Sequence, residues 1–264
     1  MTLIVGIRCS DGVVMASDSA ATFGMDFNRT IGQQDIRKVH KVGEAMLFGG
    51  SGAVGIAQLI RDALGSAWSH STFRSPATSE EAMRNIAEEI RKQVGPHLQM
   101  ANLTRPLGQD VSSSLCKSLV AMPVKKKACL FSFDSNGAPE EITVEIPFVA
   151  IGSGQQIADP FLAFLKGLLW KGTPPTLAQG RLVAVWTVEH VKKTNPGGVA
   201  GATQLATLAS DVEVAKAVTL YEENQLLEHL EQIHSAEKAL AKQLCEEKPA
   251  SELSSPPAAP GGTS

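Results

Sequence analysis

The sequence lacks long apolar runs, an excess of positive charge and the glycine motifs that bind phosphate. No apolar stretch among its 264 residues approaches the roughly 20 residues that a membrane-spanning helix needs. The formal net charge is −3, so no surplus of lysine and arginine is available to follow nucleic-acid phosphates. Neither the GxxxxGK[ST] nor the GxGxxG spacing occurs. We therefore expect neither a membrane nor a nucleic acid as a partner.

The sequence also has few cysteines, and they are far apart along the chain. Cys9, Cys116, Cys129 and Cys245 form no Cys-x-x-Cys motif, which favours reduced thiols over a disulfide framework or a zinc site. The N-terminus lacks the basic segment that opens a signal peptide. Together these absences predict a cytoplasmic protein.

Composition indicates one folded body followed by a polar tail. Apolar residues make up 43% of the chain and charged residues 19%, which is enough for one sizeable core. We assign residues 1–210 to the main domain and residues 211–247 to an amphipathic C-terminal helix. Residues 248–264 have few apolar groups to bury, and we expect them to be disordered.

What the sequence does contain is a hairpin pattern at its start. Two apolar runs, at 3–7 and 13–16, flank Ser-Asp-Gly at 10–12. Asp-Gly between two such runs is a strong short-range signal for a β-hairpin. The first strand of this hairpin would begin at the extreme N-terminus.

The length of the turn decides which side chains of the hairpin meet. A two-residue turn places Thr2 and Asp18 on opposite faces, because side chains alternate along a strand. A three-residue loop, with Gly12 in the left-handed conformation, pairs Cys9 with Val13. Thr2 and Asp18 then share one face, roughly 7 Å apart, within reach of a long side chain between them.

Thr2 is a candidate nucleophile if Met1 is removed. Removal of Met1 before a small residue would leave an amine and a hydroxyl on one residue. The pKa of such an amine, roughly 7.7 to 8.0, lies close to neutral pH, so the amine can serve as a base. Met-Thr starts are common, so Thr2 gains meaning only from the residues around it.

Six segments together resemble proteasome β subunits and the bacterial relative HslV. They are TLIVGI at 2–7, DGVVMASD at 11–18, ATFG at 21–24, RKVHKV at 37–42, FGGSGA at 48–53 and AIGSG at 150–154. The resemblance implies an α+β fold, the four-layer αββα sandwich of N-terminal-nucleophile (Ntn) hydrolases. It also implies cleavage of peptide bonds through a threonine acyl-enzyme that requires no metal or organic cofactor.

The resemblance assigns a catalytic lysine and aspartate beside Thr2. Strand alternation places Lys38 on one face and Lys41 on the other, and only Lys38 matches the family's lysine before the Val-x-x-Val pattern. An ammonium near the hydroxyl would ease formation of an alkoxide, and Asp18 would hold that ammonium. The plainer interpretations are a solvated strand-end charge for Lys38 and a turn residue for Asp18.

Three further residues take roles from the same resemblance. Gly50, in a glycine turn before a helix, would aim its N–H at the oxyanion. Ser153 would position the amine of the nucleophile; otherwise it caps a helix. Thr22 and Gly50 would contact the substrate.

Three departures from the family pattern favour a catalytically silent ring or scaffold subunit as an alternative. The polar loop at 24–36 is a few residues longer than the family's usual one, Ala20 stands where many proteasome subunits carry a basic residue, and 196–198 does not match the proteasome Asp and Ser-Gly-Gly pattern. An Ntn amidase for a small amide is another alternative. Within the superfamily, the alternatives are the proteasome-related bacterial proteins called Anbu and the β-proteobacterial homologue. The implied partners are unfolded proteins or peptides, further copies in homo-oligomeric rings and, as an open question, an ATP-dependent unfoldase.

Periodicity predicts the remaining elements. The predicted helices are 53–64, 79–94 (ending near Gly95-Pro96), 156–170 and 176–193. The predicted strands are 38–42, 45–48, 113–122, 128–133 and 141–148, with a turn at 134–137. Near the C-terminus, Leu226, Leu230, Ile233, Leu240 and Leu244 follow a 4-and-3 spacing, which indicates a helix that packs on its own body or contacts another subunit.

Overall fold

The computed structural model describes residues 2–22, 33–104, 115–196 and 198–245. Within them the strands, in chain order, are β1 (Leu3–Arg8), β2 (Gly12–Ser17), β3 (Ala20–Thr22), β4 (Gln33–Asp35), β5 (Val39–Val42), β6 (Met46–Gly52), β7 (Cys116–Val124), β8 (Lys127–Phe133), β9 (Pro139–Ile142), β10 (Phe148–Gly152), β11 (Gln204–Ala209) and β12 (Val218–Tyr221). The helices are α1 (Val54–Trp68), α2 (Ser71–Arg74), α3 (Ser79–Thr104), α4 (Gln155–Leu165), α5 (Leu177–Thr194) and α6 (Glu223–Cys245).

These elements form four layers. In the described part of the chain, two five-stranded antiparallel sheets have the orders β10-β1-β2-β11-β12 and β5-β6-β7-β8-β9. The two sheets face each other, α1 and α3 cover the second sheet, and α4, α5 and α6 lie on the other outer side. The predicted α+β, four-layer αββα sandwich is confirmed.

Strand β1 is buried on both faces because helices cover one face of its sheet and the second sheet covers the other. Leu3, Val5 and Ile7 pack in the core between this sheet and the helices. Ile4 points the other way, into the core between the two sheets. This double burial explains why the first strand reads as a nearly continuous apolar run.

The hairpin forms, but in neither of the two predicted registers. Ile4 pairs with Ser17 and Arg8 pairs with Val13, so four residues connect the strands. Cys9 N–H donates to the Gly12 carbonyl at 2.8 Å, and Gly12 does not adopt the left-handed conformation. The shift by one residue means that strand alternation does not bring Thr2 and Asp18 together. Their proximity has another cause, described below.

Helix α3 continues past its predicted end at Gly95-Pro96. Pro96 lies inside the helix and removes one backbone donor. Val94 before it and Ala101 after it are both buried. Because 94 and 101 are seven residues apart, they share a face, and continued packing of this face offsets the local break.

The predicted strand at 141–148 is two strands of different sheets. β9 ends at Ile142 and pairs with β8, whereas β10 begins at Phe148 and pairs with β1. The predicted turn at 134–137 is present: the Asp134 carboxylate accepts from the N–H groups of Asn136 and Ala138, both at 2.8 Å. The apolar residues alternate with other residues throughout 141–148, and such a continuous alternation does not by itself show where a chain changes sheets.

The other long helices agree with their predictions. α4 continues as a π-helix over Lys166–Trp170. At the start of α5, Thr176 and Gln179 form a reciprocal capping box. Sequence analysis did not identify β11, which pairs with β2 along its whole length, or β12. Without β11, strand β2 would have β1 as its single neighbour in the first sheet and would lie at the sheet edge.

Helix α6 packs on the helical side of the first sheet. Leu226 and Ile233 are buried there, whereas Leu240 is 46% exposed. The domain boundary at 210 stays a prediction, and the tail at 248–264 lies outside the described residues. Of the helices in the described part of the chain, none combines the length and the hydrophobicity needed to span a bilayer.

Candidate active site

Thr2 lies just before β1 and is held by the junction between β10 and α4. Its backbone nitrogen donates to Ser153 Oγ at 3.1 Å, and its carbonyl accepts from Gly154 N–H at 3.2 Å. Gly152 has a φ of +100°, and a Cβ at this position would overlap the Thr2 carbonyl oxygen. The glycine is required here because the two backbones approach so closely.

Asp18 is fully buried and joins three parts of the chain. Oδ1 accepts from Leu3 N–H at 2.9 Å and from Lys38 Nζ at 2.8 Å. Oδ2 accepts from Ala200 N–H at 3.3 Å. Since β2 ends at Ser17, strand alternation no longer fixes the direction of the next side chain. This is why Asp18 reaches the lysine although the hairpin register differs from the prediction.

Lys38 is buried immediately before β5 and forms an ion pair with Asp18. Its ammonium also donates to the Ala20 carbonyl at 2.6 Å. Burial lowers the pKa of Lys38 below its ordinary value, while the charge and hydrogen bond of Asp18 and the charge of Asp35 oppose this shift. The residue is therefore a charged group whose proton is held less firmly than that of a solvated lysine.

Gln204 is a structural part of the site that sequence analysis missed. Its Oε1 accepts from Lys38 N–H at 2.8 Å, and its Nε2 donates to the Ile36 carbonyl at 2.7 Å. Gln204 begins β11 and pairs with Ser17. The amide therefore fixes the backbone on either side of Arg37 and sets where Lys38 enters the site. A correct prediction of β11 would have placed Gln204 at the start of that strand, and this is the one signal in the sequence that could have identified it.

The segment at 198–202 also contributes backbone rather than side-chain groups. Ala200 bonds Asp18 through its N–H, and the Ala200 carbonyl accepts from Ala20 N–H at 3.0 Å. Ala202 N–H donates to Ser19 Oγ at 2.8 Å. The Ala200 N–H thus satisfies the second carboxylate oxygen of Asp18, and no side chain of this segment is needed for that contact.

A cavity of about 150 Å³ opens beside Thr2, and Lys38 and Gly50 also line it. The predicted glycine turn is wrong: Gly50 lies within β6 and pairs with Ser118 of β7. The chain leaves the strand only after Gly52. A Cβ at Gly50 would lie 2.7 Å from Ala57 Cβ, so glycine allows helix α1 to pack closely against this wall of the cavity.

Thr22 is described only as the last residue of β3, where its backbone pairs with Gln33. Its side chain lies outside the described part of the structure, so a substrate contact by Thr22 stays a prediction. Most of the polar loop at 24–36 is likewise outside the described residues. Its end forms β4, and Asp35 accepts from Ser19 Oγ at 2.7 Å.

The arrangement places a threonine and an ammonium at one cavity, with the buried Asp18 carboxylate paired to that ammonium. The hydroxyl of Thr2 is the group that could attack a carbonyl. The backbone nitrogen of Thr2, which would become the α-amine if Met1 were removed, donates a hydrogen bond to Ser153. Among the described residues, no group of three or more His, Cys, Asp and Glu side chains is arranged to hold a metal ion. The roles of Thr2, Asp18, Lys38, Gly50 and Ser153 remain predictions.

Comparison with known proteins finds sequence similarity to proteasome subunits. The family model described as proteasome subunit matches residues 2–165. Proteasome subunit beta 2 of Pyrococcus abyssi is 41% identical over 61 residues, which cover 23% of this chain and 28% of the relative. Proteasome subunit beta 2 of Thermomonospora curvata is 27% identical over 195 residues, covering 70% of this chain and 58% of the relative. The chain thus spans less than two thirds of the length of each of these relatives.

Solved structures with the same fold come from the Anbu group. Anbu (ancestral beta-subunit) from Yersinia bercovieri has a TM-score of 0.69 at 18% identity, covering 96% of this chain and all of that chain. The helical assembly of the Anbu complex from Pseudomonas aeruginosa gives 0.68 at 18% identity, covering 95% and 99%. At such identities the likeness shows the fold alone. Because the family model covers more than half of the sequence, this chain belongs to the proteasome subunit family.

Proposed function

We propose that this chain is a threonine peptidase that hydrolyses peptide bonds of unfolded proteins or peptides. The proposal is carried by the single cavity that Thr2, Lys38 and Gly50 line together. The buried ion pair between Lys38 and Asp18 beside this cavity supports it. Family membership supports the broader class, a hydrolase of the Ntn type.

The first step is removal of Met1, which turns the backbone nitrogen of Thr2 into an α-amine. Ser153 Oγ lies 3.1 Å from this nitrogen and orients it. With a pKa of roughly 7.7 to 8.0, a large fraction of the amine is neutral near pH 8 and can accept a proton. Before removal the nitrogen is an amide and has no such capacity.

The hydroxyl oxygen of Thr2 then attacks the substrate carbonyl carbon. The hydroxyl proton passes to the amine, directly or through a water, and the carbonyl electron pair moves onto oxygen. The positive charge of Lys38, held by Asp18, favours the developing alkoxide. The N–H of Gly50 stabilises the oxyanion.

Collapse of this intermediate breaks the C–N bond and leaves an ester on Thr2. The departing amine takes the proton that the α-amine had accepted. Water then attacks the ester, again with the amine as base, and releases a carboxylic acid while restoring the threonine hydroxyl. Every proton is returned, so the cycle needs no further reactant.

The test is the intact mass of the purified protein before and after incubation with a peptide epoxyketone or vinyl sulfone. We expect a mass that lacks one methionine and that increases by one inhibitor. Chemical acetylation of the Thr2 amine should abolish turnover of casein while circular dichroism stays unchanged. The matched control is Thr2→Ala, which should gain no inhibitor. Full activity in a preparation that retains Met1 would overturn the proposal.

The same experiment separates the alternatives. A chain that folds, assembles and never reacts is a silent ring or scaffold subunit. A chain that reacts and hydrolyses small amides but leaves casein intact is an amidase. We further propose that the protein is cytoplasmic, where its four free thiols stay reduced, and that it assembles with copies of itself into rings.

A further inference from the structure

The cavity beside Thr2 has a strongly one-sided charge. Besides Lys38, its wall carries Arg37, His40 and Arg61, and none of the described residues that line it has a carboxylate. The charge of Lys38 is largely balanced by its ion pair with Asp18. The two arginines therefore determine the charge that an entering group meets, and that charge is positive.

Both arginines are available to a ligand. In the described part of the chain, the guanidinium of Arg37 makes no hydrogen bond or ion pair, and the residue is exposed. Arg61 is paired with Asp62 at 2.8 Å, but the Asp62 side chain is 67% exposed and that of Arg61 is 33% exposed. Exposed pairs of this kind are weak, so a carboxylate inside the cavity can compete for Arg61.

Besides burial, the positive potential of the arginines lowers the pKa of His40, which lines the same cavity. Its pKa is lowered chiefly by burial and next by the charge of Arg61, with a smaller contribution from the charge of Arg37; a backbone hydrogen bond at Arg37 and the charge of Asp62 oppose these. The lowered pKa favours the neutral imidazole, which adds a hydrogen-bond donor but no further positive charge. A carboxylate bound beside it would raise this pKa again.

The remaining walls suit the stem of a short side chain. Phe48, Val54 and Ala57 provide apolar surface, and Gln58 adds an amide. At about 150 Å³, the cavity has the size of one that holds a benzene-sized group. This is room for about one amino-acid side chain.

The position of Thr2 identifies which substrate residue enters. A carbonyl attacked by the Thr2 hydroxyl lies at the mouth of this cavity, and the side chain of the residue that owns this carbonyl is two bonds away. We propose that the cavity selects substrates in which that residue is glutamate or aspartate, with Arg61 and Arg37 as the specificity-determining residues. This inference rests on the peptidase function proposed above.

The direct test compares four fluorogenic peptides that differ only in the residue before the cleaved bond, which is Glu, Gln, Leu or Lys. A carboxylate that gains charged hydrogen bonds should raise kcat/KM about tenfold or more for Glu over Gln. Lys should be the poorest substrate. Equal values for Glu and Leu, or a preference for Lys, would overturn the inference. A peptide with Glu only after the cleaved bond should show no gain.

Substitutions test the residues. Arg61→Gln and Arg37→Gln should each reduce the Glu-to-Gln ratio of kcat/KM, and the double variant should bring it close to one. Asp62→Asn should raise the ratio, because it frees Arg61 from its exposed partner. The control is Lys41→Gln, which removes the same charge from an exposed position outside the cavity and should leave the ratio unchanged. A ratio that survives the double substitution contradicts the assignment.

A binding experiment separates failure of this inference from failure of the proposed function. In Thr2→Ala, which cannot form the ester, fluorescence anisotropy measures the affinity of peptides that end in Glu, Gln or Lys. Tighter binding of the Glu peptide, lost in Arg61→Gln, supports the cavity assignment even if the chain never cleaves a peptide. Equal binding of the three peptides overturns it, whatever the inhibitor experiment reports.

Discussion

The ion pair between Asp18 and Lys38 is expensive to bury and is therefore unlike a surface salt bridge. Both side chains are almost completely hidden, at 0% and 2% exposure, so each has lost its hydration. A buried pair of this kind often contributes little net stability compared with apolar residues of the same volume. Lys38 lines the cavity beside Thr2, which supports the proposal that the pair serves chemistry rather than stability.

Replacing Lys38 by alanine tests this role. We expect kcat on casein to fall about a thousandfold or more, because residues that activate a nucleophile act as a unit. Lys38→Arg should restore little, since a guanidinium is broader and does not give up a proton near neutral pH. Lys41→Ala, at an exposed position of β5, should be nearly harmless. Rates would be measured on assembled, purified variants.

Stability must be followed in parallel, because Lys38→Ala leaves the Asp18 carboxylate buried without its cation. That loss costs about 3 to 5 kcal/mol, and circular dichroism with urea unfolding would measure it. Lys38→Met keeps the length of the side chain and serves as a second variant. An active Lys38→Ala next to an inactive Lys41→Ala would show that the lysine has been assigned wrongly.

Which residues meet at the site could largely be predicted from the sequence, but not how they meet. The spacing around Asp18, Lys38 and Ser153 is local and typical of the family, so each could be named. Gln204 and the backbone of Ala200 could not, because a side-chain amide and a main-chain N–H leave no recognisable pattern. Their positions depend on β11, which sequence periodicity did not reveal.

At the scale of elements, register was the weak point of prediction. The Asp-Gly signal correctly predicts a hairpin, but one additional connecting residue reverses the faces of every side chain beyond it. In the same way, glycines at 49–52 suggest a turn, whereas pairing with β7 keeps them in a strand. Turn residues show where a chain can bend, and the partner strand decides whether it does.

Helix α6 offers a prediction about packing. Ile233 is 4% exposed and Leu240 is 46% exposed on the same helix. Ile233→Ala should lower the free energy of unfolding by about 2 to 4 kcal/mol, because it leaves a cavity against the helical core. Leu240→Ala should change it by less than about 0.5 kcal/mol. Urea unfolding of both variants gives the comparison, and equal losses would mean that α6 does not pack as described.

At the scale of the whole molecule, the outer helices present apolar side chains to solvent. They include Leu59 on α1, Met100 and Leu103 on α3, and Phe164, Leu168 and Leu169 on α4 and the π-helix that follows it. Apolar side chains on outer helices are typical of surfaces that are covered by another subunit. They support the proposal of closed homo-oligomeric rings with the site facing an inner chamber.

Light scattering at micromolar concentration tests this assembly. We expect a mass several times that of one chain, and closed rings in electron micrographs. Leu103→Glu should shift the protein toward smaller species without unfolding it, because Leu103 is 72% exposed and the charge would be buried only in the assembly. Gln99→Glu, also exposed on α3, is the control. A wild-type monomer would contradict the proposal.

The pairing of the first sheet also sets an order of events during synthesis. Thr2 is bonded to Ser153, 151 residues away, and Ser17 at the end of β2 contacts Gln204, 187 residues away. At about 5 to 20 residues per second, the ribosome needs roughly 10 to 40 s to make these partners. Until β10 has been made, after about 8 to 30 s at that rate, β1 has no sheet neighbour but β2, so the proposed removal of Met1 would act on a strand with an open edge. The site closes around Thr2 only after the last sheet strands have emerged.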